Sequence, residues 1–198
     1  MKIKPTENIL IVIVPTATAE SNKDFLTEEE LQELECIKSA QRCDEWSTWR
    51  RVVREQLGSE AAIWYNEIGA PQTKNDKGEE MKISVSHSRS HVAVLFSERR
   101  CGLDMEHCDR NFDHIREKYL APEEMQLATD DKHKAIMWCA KEAIYKYAGR
   151  KEIDLKRDIV IKTVDMTQKE LTAELCGRPL PTLSVFEFED QIVCWLSE

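Results

Sequence analysis

Hydrophobic and polar positions follow two periods along this chain, one of two residues and one of three to four. The first is typical of half-buried strands and the second of amphipathic helices. Residues 9–14, an apolar β-branched run behind Lys2, Lys4 and Pro5, predict a buried strand rather than a leader peptide. The N-terminal half then predicts a helix from Thr27 to about Ile37, a helix from Ala40 to Leu57 that ends at Gly58, a short strand in "AAIWYNEIGAP", an exposed loop in "TKNDKGEE", and paired strands in "MKISVSHS" and "HVAVLFS".

The C-terminal half repeats this order. A strand over Gly102–Glu106 is followed by helical patterns in "DHIREKYL" and "PEEMQLA", and then by the longest helix, about Asp131 to Ala148, with Gly149 at its end. The segments "DIVIKTV", "LTAEL" and "LSVFEFEDQIVCWLS" predict closing strands, the last a hairpin that turns at Glu189–Asp190. The repeated order predicts an α+β fold of two similar α/β halves, residues 1–98 and 99–198, that meet near Glu98.

Composition narrows the class of protein. The 198 residues are 41% hydrophobic and 33% charged, and no apolar run approaches the roughly 20 residues that cross a bilayer. A net charge of −9 argues against nucleic acid as the main partner, although arginines cluster locally. Seven cysteines without a C-x-x-C pair indicate a reducing compartment rather than a disulfide framework. We therefore expect a cytoplasmic protein with neither a membrane nor a nucleic-acid partner.

Two carboxylates stand out in "RRCGLDMEHCDR". Asp104 and Glu106 lie two residues apart behind Gly102, so in a strand they share one face. Carboxylates placed side by side repel each other unless a cation lies near them. An edge strand with its polar face toward water has the same pattern, so this pair alone leaves both interpretations open.

The long helix supplies a third carboxylate. In "MWCAKEAIYKYAG", Glu142 and Lys146 lie four residues apart on one helix face, with Trp138 one turn earlier. Taken alone, this is an exposed ion pair that stabilises a helix by about 0.2–0.5 kcal/mol. Beside Asp104 and Glu106, however, Glu142 completes three oxygen ligands that suit Mg²⁺. Lys146 then becomes a point charge for the phosphates of a substrate.

These motifs resemble the signature set of a known enzyme family. "GLDME" and "WCAKEAIYK", with "SVSHS" upstream, resemble the motifs of the 4′-phosphopantetheinyl transferases, and more narrowly the single-chain class whose two halves mimic a dimer. The resemblance extends from about Arg42 to Ile161, and "EWSTWRRVVREQLG" and "YNEIGAP" are similar to the family's helix and turn before its Ser-His pair. It implies an active site at the interface of the halves and transfer of phosphopantetheine from coenzyme A to a serine of an apo acyl or peptidyl carrier protein. It further implies release of 3′,5′-ADP, dependence on Mg²⁺ (or Mn²⁺ in its place), and a monomer.

The resemblance also assigns roles to individual residues. Asp104, Glu106 and Glu142 match the metal ligands, Glu142 also matches the proposed general base, and Lys146 matches the lysine that contacts the pyrophosphate. Asp104, Glu142 and Lys146 are thus the catalytic set. Coenzyme A is assigned, besides Lys146, to Arg42 and Arg50 around the nucleotide, to Gly69 and Pro71 beside the adenine, and to Ser86 and His87 at the 3′-phosphate. A structural histidine and an arginine-rich surface helix are the alternatives for His87 and for the two arginines.

The chain departs from the family pattern at two places. Ala70 stands where the turn usually carries lysine, and the helix around Glu30–Glu35 is acidic where some relatives carry lysines. Two other functions stay open: a retired homologue that binds coenzyme A or carrier protein without catalysis, and a magnesium-dependent phosphohydrolase of free nucleotides. The pathway of the carrier protein, whether fatty acid, polyketide or nonribosomal peptide synthesis, does not follow from these residues.

Overall fold

A computed structural model describes every residue from Met1 to Glu198, and the chain divides into two compact units, Met1–Glu98 and Arg99–Glu198. We call them unit 1 and unit 2. Unit 1 contains β1 (Lys2–Thr6), β2 (Ile9–Pro15), α1 (Glu28–Cys36), α2 (Ala40–Leu57), β3 (Ala62–Tyr65), β4 (Pro71–Lys74), β5 (Glu80–His87) and β6 (His91–Ser97). Unit 2 contains β7 (Cys101–His107), α3 (Arg116–Tyr119), α4 (Asp131–Ala148), β8 (Ile159–Asp165), β9 (Glu170–Leu175), β10 (Arg178–Pro179), β11 (Leu183–Phe188) and β12 (Gln191–Ser197). Short 3₁₀ helices cover Glu20–Phe25 and Pro122–Glu124.

Each unit builds one six-stranded antiparallel sheet. The strand order in unit 1 is β1-β2-β6-β5-β4-β3, and in unit 2 it is β10-β9-β11-β12-β7, with β8 also paired to β9. In both sheets the strand before the long helix pairs with the last strand of the unit, β2 with β6 and β7 with β12. The predicted α+β fold of two similar α/β halves is confirmed.

One long helix packs on each sheet through its apolar side. In unit 1, Trp49, Val52 and Val53 of α2 are buried against Val92 and Val94 of β6. The predicted limits of α2 are confirmed, because Ser39 caps its N-terminus and Gly58, with φ of 109°, ends it.

In unit 2, the apolar stripe of α4 is buried in the core: Ile136, Ala140, Ala143, Ile144 and Tyr147. Asp130 caps α4, since its Oδ1 accepts from the His133 N–H at 2.8 Å. Gly149 follows the last turn in the left-handed region with φ of 60°, as predicted. None of the helices is both long and apolar enough to cross a membrane.

Each long helix also carries a buried cation ten residues after its first residue, Arg50 in α2 and Lys141 in α4. Arg50 Nε contacts Glu30 Oε1 at 3.0 Å, and Lys141 Nζ contacts Glu124 Oε2 at 2.6 Å. Both glutamates precede the helix and also accept from the backbone N–H three residues earlier. The same buried ion pair therefore ties the helix to the preceding segment in both units.

The structure corrects the sequence prediction at three strands and one helical region. β1 was not predicted, because it is an exposed edge strand without apolar alternation. Its register shifts between Ile3 and Thr6, around Pro5. The predicted loop "TKNDKGEE" is strand at Thr73 and Lys74 in β4, and the two-residue β10 was also missed. "DHIREKYL" and "PEEMQLA" form only the single turn α3 and a 3₁₀ helix, where Pro122 interrupts the chain.

Candidate active site

Gly102 sets the distance between β7 and α4. A Cβ atom on residue 102 would lie 2.1 Å from the carbonyl oxygen of Ala143 and 2.7 Å from the backbone nitrogen of Tyr147. No side chain fits there, so the glycine lets the helix backbone lie directly on the strand. Asp104 and Glu106 follow on the same face of β7, which is the face that α4 covers.

Asp104 is joined to the helix by Lys146. The Asp104 carboxylate is buried, and its Oδ1 accepts from Lys146 Nζ at 2.7 Å. Lys146 Nζ also donates to the carbonyl oxygen of Leu103 at 3.1 Å. The cation that the two strand carboxylates require therefore comes from α4, one turn beyond Glu142.

Glu106 pairs with a different cation, Arg110. It forms an ion pair with Arg110 and accepts a hydrogen bond from the Trp138 side chain. The Arg110 guanidinium lies 5.2 Å from the ring centroids of both Phe112 and Trp138. Burial and repulsion by Asp104 raise the pKa of Glu106, and Arg110 and Trp138 partly oppose this rise.

Arg110 has no role in the sequence-based prediction. Its signals were its place four residues after Glu106 and its membership of a local basic cluster. Neither signal was specific, because the spacing of four predicts contact only within a helix and this segment is a loop.

Glu142 is the least compensated of the three carboxylates. It is half-buried on α4 and makes no hydrogen bond or ion pair. Burial raises its pKa most, and repulsion by Asp104 and Glu106 adds to the rise, while Lys146 and Arg110 oppose it. The exposed Glu142–Lys146 pair that the spacing allowed does not form. Glu142 is instead a carboxylate with an elevated proton affinity beside two ion pairs.

The donor chemistry of this cluster suits a hard divalent cation, although the ligands do not converge in the structure. No three Asp, Glu, His or Cys side chains are arranged to hold a metal ion. Asp104 and Glu106 direct oxygens to Lys146 and Arg110, whose side chains are 29% and 39% exposed and so have room to turn away. Three mutually repelling carboxylates are the ligand type that Mg²⁺ prefers. The metal assignment of Asp104, Glu106 and Glu142 stays a prediction.

Unit 1 brings Arg42 and His87 together. Arg42 Nη1 lies 3.0 Å from His87 Nε2, and the other ring nitrogen of His87 lies 3.3 Å from Glu45 Oε2. Glu45 also lies 3.8 Å from Arg42 and accepts from Gln41 at 2.9 Å. Because arginine only donates, His87 Nε2 accepts from Arg42 in this contact, and the other ring nitrogen of the half-exposed His87 donates to the buried Glu45.

Ser86 and His87 do not share a surface. They are neighbours at the end of β5, where the pleat directs successive side chains to opposite faces. His87 lies on the face that packs on α2, whereas Ser86 is buried on the other face. The structure therefore brings His87 together with Arg42 and not with Ser86, and their assignment to the 3′-phosphate stays a prediction.

Arg50 is buried inside unit 1 and binds other residues of that unit. Its side chain is 2% exposed, and its guanidinium lies 3.3 Å from the Trp46 ring centroid besides its ion pair with Glu30. Arg50 also donates to the Tyr65 hydroxyl at 3.2 Å, and burial lowers its pKa. Glu30, in the acidic helix α1, also pairs with Arg54. Direct contact of Arg50 with a nucleotide stays a prediction.

The turn at Gly69 and Pro71 is held by its own side chains. Asn66 Oδ1 accepts from the N–H groups of Ile68 and Ala70, and Gly69 takes a φ of 83° that favours glycine. Pro71 opens β4 opposite Tyr65, the residue that Arg50 contacts. Arg50 therefore connects this turn to α2 without a ligand.

Comparison with known protein families identifies one family. Residues 100–194 match the family model described as ACPS, 4′-phosphopantetheinyl transferase superfamily. The match covers β7 and α4 and so includes Asp104, Glu106, Glu142 and Lys146. No curated protein matches the chain. The segment from Arg100 to Cys194 is a 4′-phosphopantetheinyl transferase superfamily domain, as its motifs predicted.

Proposed function

We propose that the protein transfers the 4′-phosphopantetheine arm of coenzyme A to a serine of an apo acyl or peptidyl carrier protein and releases 3′,5′-ADP. The observation that carries this proposal is the state of Glu142 in a domain of this superfamily. It is a carboxylate with a raised pKa and no partner, beside Asp104–Lys146 and Glu106–Arg110. A group that must accept a proton near neutral pH needs this combination of access and proton affinity.

In the proposed reaction the serine oxygen attacks the β-phosphorus of coenzyme A. A new O–P bond to the carrier forms as the P–O bond to 3′,5′-ADP breaks. Glu142 accepts the proton of the serine hydroxyl, and Lys146 stabilises charge on the pyrophosphate. Magnesium held by Asp104, Glu106 and Glu142 would neutralise the pyrophosphate. Positioning and charge stabilisation are the main demands of phosphoryl transfer, and these residues supply both.

We assign binding of the coenzyme A nucleotide to residues of unit 1. Arg42 and His87 suit the 3′-phosphate, because a guanidinium and an imidazole, 55% and 41% exposed, lie side by side at the surface of unit 1 and can turn toward an anion. Gly69 and Pro71 form a turn with open space around Gly69, which suits an adenine ring. The shared strand order of the units supports the single-chain, pseudo-dimeric class.

The test is the intact mass of purified apo carrier proteins after incubation with the protein, coenzyme A and Mg²⁺. We expect the mass of one phosphopantetheine arm to be added, and EDTA to stop the addition. Carriers from fatty acid, polyketide and nonribosomal peptide synthesis would identify the pathway. Unchanged carriers with intact coenzyme A would indicate a retired binding homologue. Unchanged carriers with hydrolysed coenzyme A would indicate a phosphohydrolase.

A further inference from the structure

A cavity on unit 2 lies apart from every residue assigned above to metal or coenzyme A. It opens beside the C-terminal end of α4 and the turn between β9 and β10, and its volume is about 620 Å³. Small-molecule sites fall in the range of roughly 300–1,000 Å³. The walls combine arginines with an apolar side that includes Leu175 and Leu180.

The positive charge of this cavity is only partly neutralised. Arg100 forms an ion pair with Glu198 and lies 4.6 Å from the Tyr147 ring centroid. Arg150 and Arg178, in contrast, are exposed and make no ion pair with any carboxylate. In a chain of net charge −9, two uncompensated guanidinium groups in one cavity are a local excess of positive charge.

Arg150 and Arg178 are each positioned by a tight bend of the backbone. Arg150 follows Gly149 at the end of α4, and Arg178 follows the two-residue turn Cys176–Gly177. Both turn residues have positive φ, 52° and 74°, which is the conformation of a tight type I′ hairpin. Cys176 Sγ lies 3.2 Å from Arg150 Nη2, so the thiol stands beside one of the two guanidinium groups.

We propose that this cavity binds a small organic phosphate, a phosphate monoester with an apolar group. Two guanidinium groups match the charge of a monoester dianion, and the planar fork of each bonds two of its oxygens. The apolar group packs against Leu175, Leu180 and the adjacent prolines. This site is independent of the proposed transferase activity and needs neither metal nor coenzyme A.

Calorimetry with phenyl phosphate tests the proposal on the full chain. We expect the intact protein to bind phenyl phosphate and not the neutral analogue phenol. Arg150→Gln and Arg178→Gln should each weaken binding about tenfold or more, because each removes a charge-assisted contact. Arg157→Gln is the matched control, since this arginine is exposed, lies in the same unit and does not line the cavity. Its binding should be unchanged.

Alkylation of cysteine reports where the probe binds. Cys176 and Cys36 are both exposed free thiols, and only Cys176 lines the cavity. Phenyl phosphate should slow the reaction of iodoacetamide with Cys176 and leave the rate at Cys36 unchanged. Thermal melting confirms that both arginine variants are folded. The proposal is overturned if the intact protein does not bind phenyl phosphate, if binding survives in both variants, or if Arg42→Gln abolishes it instead.

Discussion

Lys146 contacts Asp104 on β7 and not Glu142, the carboxylate four residues before it on its own helix. The distance from Lys146 Nζ to Asp104 Oδ1 is 2.7 Å. Glu142 is left without an ion pair, and its pKa is raised by burial and by the other two carboxylates. The pairing distinguishes the two carboxylates, because Asp104 has an ion-pair partner and Glu142 has none.

Removing the charge of Glu142 should stabilise the protein. When the pKa of a carboxyl is higher in the folded than in the unfolded chain, the protein loses stability as the pH rises through the interval between the two pKa values. Glu142→Gln should therefore raise the free energy of unfolding at pH 7–8, and the gain should disappear as the pH falls below the ordinary carboxyl range. Urea unfolding across this pH range measures the difference. Glu67→Gln, at an exposed turn residue, is the control and should show no gain.

Glu142→Gln should also stay slow when metal is saturating. Loss of a general base costs about 10²–10⁴-fold in turnover. If Glu142 were only a metal ligand, the amide oxygen of glutamine would still coordinate and high Mg²⁺ would recover the rate. Asp104→Asn is the comparison, and we expect added Mg²⁺ to rescue it in part. Full recovery of Glu142→Gln would move proton acceptance to another group.

His87→Ala should discriminate between two forms of the nucleotide. It should weaken the binding of coenzyme A by the free energy of a charge-assisted contact, about 1.5–3 kcal/mol, and leave the binding of 3′-dephospho-coenzyme A almost unchanged. Calorimetry with both ligands measures this difference. An equal loss for both would show that His87, held by Arg42 and Glu45, only supports the structure of unit 1.

Gly102→Ala should destabilise the fold strongly. The added methyl group would meet the backbone of α4 at 2.1 Å, where no side chain can yield, so we expect a loss of about 3 kcal/mol, the upper end of the usual cost of overpacking. Chemical denaturation of the variant measures it. Gly69→Ala has open space around its Cβ and should cost only the strain of positive φ, about 1–2 kcal/mol. Equal losses would mean that α4 can move away from β7.

Breaking the buried Lys141–Glu124 pair by changing one partner should destabilise the protein more than replacing both partners. Lys141→Met alone leaves a buried carboxylate without its cation and should cost about 3–5 kcal/mol. The double variant Lys141→Met with Glu124→Leu should recover part of that loss. It recovers only part because Lys141 also donates to the carbonyl groups of Leu155 and Ile159. Denaturation of the single and double variants gives the coupling, and a coupling near zero would contradict this account.

Sequence periodicity was sufficient for the long helices and the paired strands, because α2 and α4 each bury one regular apolar face and the apolar run of β6 is buried along its whole length. It missed β1 and β10, which are exposed and have no such face. In the site, spacing placed Asp104, Glu106, Glu142 and Lys146 together, but it paired Lys146 with its helix neighbour. The true partner lies across a strand–helix contact that depends on Gly102. Arg110 was missed because it pairs with Glu106 across a loop, where a spacing of four is not specific, and Glu45 was missed because its contact with His87 is tertiary.

The same buried pair of a cation and a glutamate occurs at α2 and at α4, so the two units can be compared with each other. Counted from the first residue of each helix, Arg51 and Glu55 of α2 occupy the positions of Glu142 and Lys146 in α4. In α2 the two charges have the opposite order and close on each other at 3.0 Å. What both copies keep, the buried cation and its glutamate, belongs to the architecture. What only one copy has, a glutamate without an ion pair beside the carboxylates of β7, is the part on which the proposed chemistry depends.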